Sequence, residues 1–299
     1  MSDQPVTSPE ETDDNFDEEE AIEDENDDRT PGEVIWTSDD ALSFDEARRL
    51  TGQRGATVVL FAGDTDAGKT TAMVEVWTSL LGVGTLGEYA LAGSNNALAF
   101  ELRSFDSRIT SGLNTTNRTD EDNEGFLHLS VCGPRSRTEI LFADYAGEHF
   151  KHIGDGVEAI DELPWFGRVD RLAVLVDGAL VASSGSAQVA FTRARRLLWK
   201  ARDCTERNPR LRLAIVLSKA ELVDDSRSAA FEDSMCELHD LALELDDDAP
   251  VLRISARPET GNAPWGLDKL LEWICLKHRP AAPFEPQLEA PTRAFGRFQ

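Results

Sequence analysis

The chain alternates short apolar runs with longer segments in which apolar residues recur at helical spacing. Residues 56–62 form an unbroken, β-branched apolar run, as expected for a strand buried on both faces. Runs at 171–176, 211–217 and 251–254 read the same way. Residues 126–131 and 138–143 read as a hairpin turning at Cys132-Gly133-Pro134. Helices are predicted over 69–81, 186–203, 228–245 and 266–278, the first with Met73, Val76, Trp77, Leu80 and Leu81 on one face. Ser43 and Glu46 have capping-box spacing, so a short helix is expected to run to about Leu50 and stop at Thr51-Gly52. Val34-Ile35-Trp36 reads as a short extended piece. Residues 95–105 look helical, with Ser94 as a candidate N-cap, inside a long, turn-rich connection from 82 to 124. Strands alternating with helices predict an α/β fold with a mostly parallel sheet and helices on both faces.

Between the first apolar strand and its helix stands Gly63-Asp64-Thr65-Asp66-Ala67-Gly68-Lys69-Thr70, a full match to G-x-x-x-x-G-K-[ST], the Walker A pattern. Glycines there let the backbone curl so that successive N–H groups face phosphate oxygens. The following helix N-terminus adds its partial positive charge. Lys69 is the candidate for the β- and γ-phosphates, and the Thr70 hydroxyl is the candidate Mg²⁺ ligand. Thr71 has two readings, phosphate contact or helix packing.

Three later segments fall at the ends of predicted strands, the edge where open α/β sheets bind ligands. Asp144-Tyr145-Ala146-Gly147-Glu148 supplies a carboxylate for Mg²⁺ at Asp144 and an N–H for the γ-phosphate at Gly147. Ser218-Lys219-Ala220-Glu221 could read guanine, the Glu221 carboxylate accepting from the base and the Lys219 stem lying over the ring. Ser255-Ala256-Arg257 could offer backbone N–H groups to the base. Taken singly, the Asp144 segment also fits a strand-ending turn, the Ser218 segment also fits a helix N-cap with exposed charges, and the Ser255 segment carries little weight alone.

Charge changes the picture at the ends. Of a net −26, residues 1–30 supply −13, from 14 Asp/Glu and one Arg. Such a segment buries too little apolar surface to order itself, so 1–32 is expected to be a disordered acidic arm. It serves either to solubilise the chain or to meet a basic partner. Residues 33–278 are expected to form the nucleotide domain, and 279–299, with four prolines, a flexible tail. The acidity argues against a nucleic-acid partner. No apolar run approaches the roughly 18 residues of a membrane span, and the acidic start is unlike a secretory leader. Cys132, Cys204, Cys236 and Cys275 are widely spaced and read as reduced thiols, so a cytoplasmic protein is expected.

Together these residues resemble the TRAFAC-class P-loop GTPases, which include translation factors and Ras-like proteins. Their pattern is a P-loop, then D-x-x-G, [NT]-K-x-D and S-A-[KR], on a Ras-like G domain of six strands with the second antiparallel. The resemblance covers about residues 56–278. Within the class the chain is most similar to the bacterial double-GTPase families of conflict or effector-associated systems. The segments that carry this are Phe100-Glu101-Leu102-Arg103, Leu127-His128-Leu129, Phe142 to Glu148, and Leu175-Val176-Asp177-Gly178. The resemblance implies GTP and GDP as ligands and a hydrolase with magnesium as cofactor. It also implies a switch read by a protein effector or a partner GTPase.

The chain departs from the class pattern at several places. Ser218 and Glu221 stand where Asn/Thr and Asp are usual, so an ATPase of the same fold is an alternative. Glu148 stands where a water-orienting Gln is common. It is a candidate catalytic residue beside Lys69, and its other reading is a solvated side chain that leaves a non-hydrolysing, nucleotide-dependent adaptor. Asp66 occupies the position where potassium-stimulated members carry Asn, which makes it a candidate K⁺ ligand. Thr115, Thr116 and Thr119 are candidate switch threonines. Arg103, Arg108 and Arg118 are read chiefly as surface arginines, with an arginine finger as the alternative. His149 and His152 are expected to be exposed.

Overall fold

The computed structural model describes residues 40–105, 125–146, 149–150, 152, 166–183, 185–208, 210–223, 229–258 and 262–277. All lie in one unit, Trp36–Gln299. The acidic arm, the 34–36 piece, the insert 106–124, Gly147, Glu148 and the proline-containing tail lie outside the described residues.

Eight strands form one sheet in the order β2-β3-β4-β5-β1-β6-β7-β8. They are β1 (Thr57–Ala62), β2 (Thr85–Leu86), β3 (Tyr89–Gly93), β4 (Gly125–Cys132), β5 (Arg137–Asp144), β6 (Arg171–Asp177), β7 (Arg212–Ser218) and β8 (Val251–Arg253). β1 lies between β5 and β6, parallel to both, which is why its six residues are all buried. β6, β7 and β8 continue in parallel. β4 runs antiparallel to β5 in continuous register from Gly125↔Asp144 to Cys132↔Arg137, so the expected hairpin is present.

The count of six strands is corrected to eight. β1 and β4–β8 are the six of a Ras-like sheet with its second strand antiparallel. β2 and β3 form an added hairpin at the β4 edge. They were illegible because β2 has two residues and β3 is half-buried throughout, with no alternation to read. Gly84, Gly87 and Gly93 punctuate them at positive φ, and the β3–β4 register shifts between Leu91 and Gly93.

Helices among the described residues are α1 (Phe44–Arg54), α2 (Lys69–Val83), α3 (Ala97–Phe105), α4 (Gly178–Ala182), α5 (Ala187–Arg207), α6 (Ala229–Leu245) and α7 (Leu267–Ile274). They cover the two faces of the sheet. Val58, Leu60 and Ala62 of β1 face a core with α1, α5 and α6, including Leu50, Leu198 and Leu238. Val59 and Phe61 face the opposite core with α2, α3 and α7, including Met73, Trp77, Phe100 and Leu270. This is the period-two alternation of a strand buried on both sides.

The α1 capping box is complete. Ser43 N–H donates to Glu46 Oε2 at 2.7 Å, and Glu46 N–H donates to Ser43 Oγ at 3.4 Å. The preceding residue, Leu42, bridges to Phe126 and ties the start of the domain to β4.

Candidate functional site

β1, β5, β6, β7 and β8 are mutually parallel, so their C-terminal ends share one edge. The described candidate segments after β1, β5, β7 and β8 are attached to that edge. The loop after β1 curls as its glycines allow. Ala67 N–H donates to Asp64 O at 3.1 Å, and Asp66 and Gly68 adopt left-handed conformations at φ 65 and 84°. Gly63 has no room for a side chain, because a Cβ there would lie 2.9 Å from Leu175 Cβ. Gly68 opens α2, and its Cβ position lies 3.9 Å from Ser218 Cβ. The phosphate loop and the candidate base reader are therefore neighbours.

Lys69 is buried at 7% exposure. Its Nζ donates to the Gly63 and Asp64 carbonyls at 3.2 and 3.0 Å and sits 5.7 Å from the centre of the Phe150 ring. Thr70 Oγ1 donates to Asp144 Oδ1 at 2.9 Å, joining the first turn of α2 to the end of β5. Arg103 Nε donates to the other oxygen, Asp144 Oδ2, at 2.7 Å. The sequence alone marks Arg103 chiefly as a surface residue. Its side chain is only 15% exposed and belongs to this site. Asp64 is held by Arg193 of α5. Asp66 is exposed and Thr71 half-buried. Gly147 and Glu148 fall outside the described residues. His149 is half-buried and His152 exposed.

The helix that carries Arg103 is anchored by a buried polar network. Asn95 N–H donates to His128 Nδ1 at 2.9 Å, which leaves the ring proton on Nε2 to donate to Glu139 Oε2, also at 2.9 Å. Asn96 Oδ1 accepts from His128 N–H at 2.9 Å, and Asn96 Nδ2 donates to Phe126 O at 3.0 Å. Burial alone would raise the Glu139 carboxyl, but His128, Arg137 and Ser130 outweigh it and hold it at about 2. Further along α3, Glu101 Oε1 accepts from Trp77 Nε1 at 2.9 Å, and Trp77 stacks on Phe100 with ring centres 5.0 Å apart.

At the other end of the edge, Ser218, Lys219 and Glu221 lie where β7 stops. Ser218 Oγ donates to Val176 O at 3.3 Å and is buried. Lys219 takes a left-handed conformation at φ 47° and its Nζ donates to Asp177 Oδ2 at 3.1 Å. Asp177 Oδ1 meanwhile accepts from Ala179 N–H and caps α4. Gly178 packs so tightly that a Cβ would lie 2.5 Å from both the Ser218 and Lys219 carbonyl oxygens. Ala220 N–H donates to Ile254 O at 3.1 Å, which draws the Ser255-Ala256 segment alongside. The atoms Glu221 Oε2 and Ser255 Oγ are buried and, among the described residues, have no hydrogen-bond partner. Arg257 Nε donates to Glu75 Oε1 of α2 at 3.1 Å, away from the base segments.

Phe150 and Arg193 are participants that the sequence reading does not mark, whereas Arg103 stands among its alternative arginine fingers and Asp177 only within the family-like segment 175–178. Phe150 had a signal, an aromatic residue six positions past Asp144. Arg193 had none, since it lies 129 residues from Asp64.

A hydroxyl and a buried carboxylate in direct contact at a P-loop are hard oxygen donors that suit Mg²⁺. The residues present therefore fit that ion. The fold and this edge define a P-loop nucleotide-binding α/β protein. A family model for Double-GTPase 2 matches residues 57–274, and the chain belongs to that family. A search of curated proteins found no match. Among solved structures, the chain is similar to the bacterial selenocysteine-specific elongation factor EF-Sec at 14% identity and TM-score 0.38, over 73% of this chain and 28% of that one. It is also similar to Methanosarcina barkeri Roco2 RocCORdC bound to GDP, at 13% identity and TM-score 0.36, over 73% of this chain and 49% of that one. The chain thus spans less than half the length of either. Among the described residues, no helix is long and apolar enough to cross a membrane.

Proposed function

We propose that this protein binds GTP with Mg²⁺ and hydrolyses it, acting as a nucleotide-dependent switch read by a protein effector or a partner GTPase. The observation that carries the reading is the convergence of two half-sites on one sheet edge. Lys69, Thr70 and Asp144 form one, and Lys219, Glu221 and Ser255 the other, with Gly68 against Ser218 between them. The unpartnered Glu221 Oε2 and Ser255 Oγ support a polar ligand at the second half, because buried polar groups are rarely left unsatisfied.

In this reading Lys69 exchanges the Gly63 and Asp64 carbonyls for β- and γ-phosphate oxygens, and the loop N–H groups from Asp64 to Thr70 line the phosphate chain. Thr70, with Asp144, would hold Mg²⁺, which when bound screens the charge that builds on the β- and γ-phosphate oxygens. Gly147 would donate to the γ-phosphate and Glu148 would orient the attacking water. Lys219 would lie along the base, Glu221 would accept from guanine, and the Ser255-Ala256 backbone would donate to its carbonyl. Thr71 is a further phosphate contact in this reading.

A second reading, ATP as the nucleotide, is favoured by one observation. Ser218 spends its hydroxyl on Val176 O and lacks the amide that normally tethers the reader. Competition of GTP and ATP against a fluorescent GTP analogue decides between them, and phosphate release tests turnover. Lys69→Ala removes one to two hydrogen bonds to charged oxygens, about 1.5–3 kcal/mol each, so triphosphate affinity should fall about 10²-fold. Wild-type affinity in that variant would refute the phosphate site. Tight binding without phosphate release would leave an adaptor in place of an enzyme.

A further inference from the structure

We propose that Arg103 is the resident counter-cation of the metal-site carboxylate, holding Asp144 Oδ2 in the metal-free protein and yielding it when a divalent cation binds at Thr70 and Asp144. The inference rests on the nucleotide reading above and adds a residue which that reading does not use. The Asp144 side chain is only 1% exposed, and a carboxylate so buried needs a compensating charge. Arg103 supplies one at 2.7 Å. Its guanidinium also donates to Ala99 O at 3.3 Å and approaches Asp40 at 4.0 Å, so it has other acceptors near its present position.

Arg103 does not reach Asp144 from a loose loop. The N-terminal side of α3 is pinned to β4 through Asn95, Asn96 and His128, and its middle is pinned to α2 through the Trp77–Glu101 bond and the Trp77–Phe100 stack. The arginine is therefore aimed by a fixed helix. A divalent ion on the same carboxylate would place two further positive charges within a few ångströms of the guanidinium, a repulsion that low local dielectric strengthens. Arg103 must then loosen its hold on Oδ2, and competition between the two cations follows. α3 ends at Phe105, immediately before the insert 106–124.

The test compares the full chain with Arg103→Gln and Arg103→Lys. Dissociation of a fluorescent GDP analogue is followed against free Mg²⁺, and melting is followed in EDTA and in excess Mg²⁺·GDP. With the competitor gone, Arg103→Gln should need about tenfold less Mg²⁺ for half-maximal retention of nucleotide. It should also melt below wild type in EDTA, with the gap closing in Mg²⁺·GDP. An unchanged or raised Mg²⁺ requirement overturns the proposal. So does an equal melting gap under both conditions, which would mark a purely structural arginine. If Arg103→Gln does not fold, Arg103→Lys decides, because an ammonium keeps the charge without the planar fork and should lower the requirement about two- to threefold. Failure of wild type to retain the analogue at any Mg²⁺ level would remove the nucleotide reading itself, whereas retention with an unaltered Mg²⁺ requirement in the variants removes only the role of Arg103.

Discussion

Gly178→Ala is the substitution whose consequence can be worked most directly from the structure. The new Cβ would lie 2.5 Å from the carbonyl oxygens of Ser218 and Lys219 and 3.0 Å from Lys219 C. An ordinary C···O contact is about 3.3 Å, so the shortfall is about 0.8 Å at two backbone atoms. No flexible side chain can swing away to relieve it. The ends of β6 and β7 must separate, although their ladder runs in register to Asp177↔Ser218. Overpacking of this kind costs about 1–3 kcal/mol, and the better helix propensity of alanine at the start of α4 offsets up to about 1 kcal/mol of it. The net loss of about 1–2 kcal/mol corresponds to a melting point lower by about 2–8 °C for a domain of this size. The same movement pulls Lys219 from Asp177, now 3.1 Å away, so GTP affinity should fall about tenfold or more by the usual value of a charged hydrogen bond. Thermal melts and fluorescent-nucleotide titrations measure both effects. Gly82→Ala is the control, since its Cβ would meet nothing within 4 Å and α2 should gain slightly. A Gly178→Ala protein that melts and binds like wild type would refute the idea that close backbone approach sets the reader in place.

Two further predictions concern acid and potassium. Against the cost of burial, His128 and Arg137 hold the Glu139 carboxyl at about 2 in the folded protein, below its ordinary 4.5, so its contribution is fully present above about 4.5 and is lost as pH falls toward about 2. The melting gap between wild type and Glu139→Gln should therefore narrow on acidification through that window, and a constant gap would remove the network from the acid response. Asp66 projects from the loop at φ 65° and is exposed, as a K⁺ ligand beside the phosphates would need to be. Hydrolysis should be faster in KCl than in the salt of a large inert cation, and the difference should vanish in Asp66→Ala. Equal wild-type rates in the two salts would sink that role.

How much of this was legible depended on the range of the interaction. The capping box of α1, the buried strand β1 and the phosphate loop are encoded within a few residues each, so periodicity and spacing revealed them. The β4–β5 hairpin was equally local. The β2–β3 hairpin was not, because neither strand is long enough to show a period and pairing with β4 is what orders them. The site divides in the same way. Asp144 and Lys219 could be marked as strand-end residues, whereas their partners Arg103 and Asp177 are 41 and 42 residues away in sequence. Long-range ion pairs leave no local pattern. An arginine on a helix of otherwise ordinary composition reads as a surface residue until the fold brings a buried carboxylate to it.

The departure at Ser218 takes on a different meaning once its surroundings are known. An amide at that position would tie the reader to neighbouring loops, and a serine hydroxyl, bonded here to Val176 O, cannot span the same distance. The structure holds the segment by other means. Lys219 is fixed by Asp177, and Asp177 is itself fixed as the cap of α4. Gly178 brings the two strand ends into backbone contact, and Ala220 N–H binds Ile254 O on the far side. The tether has moved from a side chain on β7 to a carboxylate on β6. Glu221 is half-buried, its Oε2 atom is buried without a hydrogen-bond partner among the described residues, and its stem is longer than that of the usual aspartate. If the proposed reading holds, Glu221 would read guanine from a segment anchored by β6, and Asp177, not Ser218, would set the placement of Lys219 beside it.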